Sequence, residues 1–199
     1  MKTHIYRILS AFLVLSLLTA ACASINGCTC LSKEDQAKMN FVPLAQALIQ
    51  SGVDLCRDIY LGGGLEANVS GTDVKYDAEN GSYYPVLSDK YTDISTMKHD
   101  TELVFTSGLA SDWLYRDAFE GERPLYREQN GRLCVDITNT AARGYGREWL
   151  YDSIVITRIS DVDAEATIDT RRDDEAVSSM TVDFVKTADG WRINSRLYD

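Results

Sequence analysis

Few side chains in this 199-residue chain have the types and spacing to do chemistry. His99 sits in a helix-like stretch between Lys98 and Asp100. To act as a base it would need a nucleophile brought to it in space, and none of the cysteines carries a local nucleophile signature. The chain has no Gly-x-Ser-x-Gly, no His-Glu-x-x-His and no phosphate-cradling glycine motif. Gly62-Gly63-Gly64 follows a helical pattern rather than a strand, so it reads as a terminator. Paired carboxylates can do acid–base work when one of them is desolvated. Asp161/Asp163 and Asp173-Asp174-Glu175 fall at turns, however, where solvent keeps them ordinary. An Asp-rich calcium loop needs alternating ligands and a glycine at fixed places, and Cys28-Thr29-Cys30 has no second pair or histidine to complete a zinc site. The expectation is a protein that is not an enzyme and holds neither metal nor cofactor.

Recognition chemistry is better represented. Residues 139–149 join two strand-like segments through a connection longer than a tight turn. Within it Gly144 and Gly146 bracket Tyr145, and Arg143 and Arg147 flank the glycines. Tyrosine and arginine dominate binding energy at protein interfaces, and loops carry such residues. Arg143, Gly144, Tyr145, Gly146 and Arg147 are therefore the candidate target-binding loop. An ordinary wide connection whose aromatics fold back on the core is the competing reading.

The elements that must position this loop follow from periodicity. Ser32, with Asp35 three residues on, opens a helix. Phe41, Leu44, Leu48, Leu55 and Ile59 then share one face, with Gly52 on that face permitting close approach. Pro43 should bend this helix or mark its true first turn. Short extended segments are expected at 69–76 and 82–87, and a second helical region at 93–105. Thr106-Ser107-Gly108 interrupts that region, with Ser107 capping a further turn or two. From Pro124 the period changes to two. Asn130-Gly131 between apolar runs is a strong hairpin signal, and alternating segments follow at 149–159, 164–171, 178–186 and 191–196. Helices first and an antiparallel meander after them make an α+β fold, with a curved, open barrel-like sheet.

The N-terminus sets the compartment. Lys2 and Arg7 precede an uncharged run over 8–18, too short for the roughly 20 apolar residues of a membrane span, so it reads as a cleavable secretory signal. Leu18-Thr19-Ala20-Ala21-Cys22 resembles the lipobox of bacterial lipoproteins, although Thr19 stands where the bulky aliphatic usually does. That resemblance implies that Cys22 is the lipidated first residue of the mature protein and that it anchors the protein to the cell membrane. Ordinary cleavage after Ala21-Cys22-Ala23 would instead release a secreted protein. The organisation is then a leader over 1–21, a membrane-proximal tether over 22–33 and a single domain over 34–199. Outside the cytoplasm ATP, NAD and nucleic acid are poor ligands. A formal net charge of −10 and a pI near 4.7 also argue against nucleic acid and anionic lipid surfaces. Cys56 and Cys134 could pair in an oxidising compartment, but read more simply as buried free thiols.

Several stretches together resemble the IseA-type inhibitors of bacterial cell-wall DL-endopeptidases. They are Tyr84-Pro85-Val86, Phe105-Thr106-Ser107, Tyr126-Arg127-Glu128-Gln129-Asn130-Gly131-Arg132-Leu133 and Asp189-Gly190-Trp191-Arg192-Ile193. The likeness spans roughly Tyr83 to the C-terminus, and its closing strand is shared with NTF2-like domains. It implies a non-catalytic envelope protein that blocks the cleft of NlpC/P60-type peptidases by inserting an inter-strand loop, here by position residues 139–147. The acidic body would steer toward a basic cleft rim over about 8 Å at physiological salt. An NTF2-like module anchored at the cell surface is the alternative, with Trp113, Tyr126, Trp149 and Trp191 facing an apolar ligand cavity.

Overall fold

The computed structural model describes residues 31–61, 63–70, 75, 77, 79–139, 146–172 and 175–198. One compact unit spans Ser32–Asp199. Among the described residues, no helix is long and apolar enough to cross a membrane.

Helix α1 (Lys33–Leu55) begins where capping chemistry puts it: the Ser32 hydroxyl accepts from the Asp35 amide at 3.0 Å. It runs unbroken through Pro43, so that proline does not mark its first turn. The buried stripe is Phe41, Ala45, Leu48, Ile49, Gly52 and Val53. Leu44, expected on this face, is exposed. At 3.6 residues per turn it falls roughly 100° from the middle of the stripe, and the smaller Ala45 takes the inward place. The helix ends in a π-helical turn, Cys56–Tyr60, closed by the Leu61 amide on the Cys56 carbonyl at 2.8 Å. Beyond it Gly63 and Gly64 take φ of +88° and +79°. A Cβ on Gly64 would collide with the Tyr126 hydroxyl, so that position needs glycine for space as well as for conformation.

Strand β1 (Tyr83–Pro85) falls within the expected 82–87 segment. An isolated bridge pairs Ala67 with Val86 just after it, and most of the expected 69–76 segment lies outside the described residues. The Asn68 amide donates to the Pro85 carbonyl and the Leu87 amide to the Glu66 carbonyl, bracketing that bridge. Helix α2 (Ile94–Glu102) is capped by Asp93, whose carboxylate accepts from the Thr96 amide at 2.8 Å. A second helical run comprises α3 (Ser107–Ala110), a π-helical segment Ser111–Tyr115 and α4 (Arg116–Phe119). Its cap is Thr106 rather than Ser107: the Thr106 hydroxyl accepts from the Leu109 amide and donates to the Asn194 side chain.

Strands β2 (Tyr126–Gln129) and β3 (Arg132–Asp136) form the expected hairpin, with Asn130 and Gly131 both at positive φ. With β1 they make one antiparallel sheet in the order β1-β3-β2. Strands β4 (Arg147–Ile159), β5 (Asp163–Arg172), β6 (Ser178–Thr187) and β7 (Gly190–Ile193) form a second antiparallel sheet in simple meander order. The fold is α+β, and the two sheets are separate rather than closed into a barrel.

Helix α1 lies on the inward face of the meander. Ala164, Ala166 and Ile168 alternate inward along β5, and Val182 and Phe184 along β6. A second cluster around Ile59, Met97, Tyr126 and Val135 packs the smaller sheet against the helices. Within α1 the chain packs closely at Gly52, where an added Cβ would lie 2.8 Å from Leu197 Cδ1 and 3.0 Å from Phe105 Cζ. Gly52→Ala should therefore destabilise the protein by about 1–3 kcal/mol through overpacking. Urea unfolding checks this, with a lower midpoint and an unchanged slope expected.

Candidate functional site

A cleft of about 230 Å³ opens where the two π-helical segments meet the C-terminal tail. Single π turns inside α-helices are rare and concentrate at functional sites, because the extra residue re-aims the side chains around it. Here both turns supply lining: Tyr60 from the first, and Asp112, Trp113 and Leu114 from the second. Leu114, Ala118 and Leu125 are buried beneath the opening and make its apolar part. Arg116, Arg196 and Asp112 are exposed and charged.

Hydrogen bonds fix these walls. Tyr60 donates to Thr101 Oγ1 at 2.6 Å, and Thr101 in turn donates to the Met97 carbonyl at 2.8 Å. The Tyr126 hydroxyl donates to the Ile59 carbonyl and accepts from the Leu65 amide, both at 2.7 Å. It thereby satisfies a carbonyl that the π turn leaves without a helical partner. Burial pushes the phenols of Tyr60, Tyr115 and Tyr126 far above the ordinary tyrosine range, so they stay neutral. Burial likewise raises the Cys56 and Cys134 thiols. Both cysteines are free and buried, and a thiol held protonated is a poor nucleophile.

The tail is clamped to β4. Trp149 Nε1 donates to the Tyr198 hydroxyl at 3.3 Å, and the two rings meet edge to face at 5.8 Å. Arg147 Nη1 donates to the Leu197 carbonyl at 3.0 Å, and its guanidinium lies 5.9 Å from the Trp149 ring and 5.8 Å from the Tyr198 ring. On the other side of residues 140–145, Asn139 lines the cleft and its amide donates to the Asp136 carbonyl. The Asp136 carboxylate is buried, accepting from the Ser82 amide at 2.9 Å, the Thr138 hydroxyl at 2.6 Å and Arg123 Nε at 2.9 Å. Burial alone would raise this carboxyl, but those donors outweigh it and hold the group below the usual carboxylate range.

Of the residues singled out by sequence, Arg143, Gly144, Tyr145 and Cys22 lie outside the described residues, as do Asp173, Asp174, Cys28 and Cys30. Gly146 takes φ +97°, and Arg147 is engaged with the tail at the base of the segment. Trp113 lines the cleft. Tyr126, Trp149 and Trp191 pack in the core instead, Trp191 with its ring 4.8 Å from Phe41. His99 is exposed in the last turn of α2. Asp163 is bound by Arg158 at 2.7 Å and by Ser160 at 2.6 Å. Among the described residues, no group of three or more His, Cys, Asp or Glu side chains could hold a metal.

Sequence reasoning missed Arg196 and Asp112, whereas Asn139 stands at the start of the expected 139–147 loop. Arg196 lay in what read as the end of the last strand, but β7 stops at Ile193 and the chain turns across the cleft. Compared with known families, curated proteins and solved structures, the chain matches none.

The Asp136 network predicts a pH signature. A carboxyl held low in the folded state adds stability above about pH 3.9, its unfolded value, and that stability is lost as pH falls through the folded value. Asp136→Asn should lower stability at neutral pH and flatten the acid limb of the stability profile. Urea unfolding from neutral to acid pH reads both effects.

Proposed function

We propose that the protein is a non-catalytic envelope lipoprotein that inhibits cell-wall DL-endopeptidases of the NlpC/P60 type, presenting residues 143–147 to the enzyme cleft. The observation carrying this reading is the bracing of the described residues on either side of 140–145. Asp136 ties Thr138 and the approach to Asn139 into the small sheet. Arg147 is held by the Leu197 carbonyl and two aromatic faces. A pre-organised base reduces the ordering cost of binding, and the Gly144-Tyr145-Gly146 tip supplies an aromatic anchor of the kind that dominates interfaces. The resemblance to IseA-type inhibitors adds the class of target, and the lipobox-like sequence at Cys22 adds the anchor. A second reading, a surface-anchored NTF2-like ligand module, draws support from Trp113 on the wall of the cleft.

A form of the protein starting after Cys22, titrated into an NlpC/P60 endopeptidase digesting peptidoglycan, should inhibit saturably. Tyr145→Ala should raise the inhibition constant by about 30-fold, roughly 2 kcal/mol for a hot-spot aromatic. Absence of inhibition across several such enzymes would overturn the reading. For the anchor, Cys22→Ser should move the full chain from the membrane fraction to the soluble fraction of expressing cells.

A further inference from the structure

The cleft combines features that neither its packing nor the presentation of residues 143–147 requires. Arg196, exposed on the C-terminal tail, makes no hydrogen bond or ion pair among the described residues, and neither does the side chain of Asp112 on the second π turn. The two charges are opposite in sign and come from different elements of one opening, whose other charged lining residues, Arg116 and Asp117, pair with each other at 3.8 Å. The same opening is lined by Leu114, Ala118, Leu125 and Trp113. The volume is about 230 Å³. It falls below the roughly 300–1,000 Å³ of sites for larger organic ligands.

We infer that the cleft is a binding site for a small zwitterion of amino-acid to dipeptide size. The Arg196 guanidinium takes the carboxylate, for which its planar fork of donors is suited. The Asp112 carboxylate takes the ammonium group, and an aliphatic side chain lies on the Leu114–Leu125 surface beside Trp113. A purely anionic ligand would leave Asp112 facing like charge, and an apolar ligand would strand both charges on desolvation. A zwitterion satisfies both. The two π turns fit this role, since each adds a residue to its helix at the point where the chain must line an opening. The site stands whether or not residues 143–147 engage an enzyme.

The test is calorimetric titration of the full chain with three probes: alanyl-leucine, its N-acetyl form and its C-terminal amide. Alanyl-leucine should bind saturably, and each blocked form should bind about tenfold more weakly, the loss expected for one charge-assisted contact. Arg196→Gln should erase the penalty for amidation and leave that for acetylation. Asp112→Asn should do the reverse, as a double-mutant cycle requires of paired groups. Both side chains are exposed, so neither variant threatens folding, and the unfolding midpoint checks this. The inference is overturned if no probe binds at millimolar concentration, if the blocked forms bind as well as the free dipeptide, or if the penalties persist in the variants.

Discussion

At Gly52 the long helix comes into side-chain contact with Leu197, Phe105 and Ile193 at once. Three distant parts of the chain therefore meet one missing Cβ: the link between helices, the last strand and the tail. Phe105 and Ile193 are held there by their own parallel bridge, and the Thr106 amide donates to the Ile193 carbonyl. Once these positions are fixed, Leu197 has no room to move. The residues on either side of it, Arg196 and Tyr198, are then delivered to the cleft. The site depends on this contact more than on any interaction within the cleft itself.

Most of this architecture is legible in the sequence because it rests on local chemistry. Ser32 and Asp93 cap helices through side-chain oxygens that the following amides must find. Asn130-Gly131 turns the hairpin because both positions take positive φ. The meander strands show the alternation that a half-buried sheet imposes. Where local signals compete, reading fails. Thr106 and Ser107 can both cap, and tertiary bonding from Thr106 to Asn194 decides between them. The Ala67–Val86 bridge rests on backbone groups rather than on a side-chain pattern.

The candidate site is less legible, and for a physical reason. A π turn has no sequence signature, since it is a register defect imposed by packing. Without it Trp113 reads as one more helical aromatic, and Asp112 as a solvated charge. Arg196 reads as strand, because nothing in its neighbours announces that the chain leaves the sheet after Ile193. Trp149 and Tyr126 were open to two readings as aromatics. Their partners, the Tyr198 hydroxyl and the Ile59 carbonyl, are 49 and 67 residues away and invisible to local pattern.

That long reach also orders assembly in time. The Arg147–Leu197 bond spans 50 residues, and its closure entropy is recovered only after the intervening strands have paired. A chain with its hairpin and helices formed, but with the meander incomplete, already has most of its secondary structure and none of the tail side of the cleft. The tail side of the cleft rests on contacts that close only when the meander is paired, so occupancy there would report that the whole domain is intact.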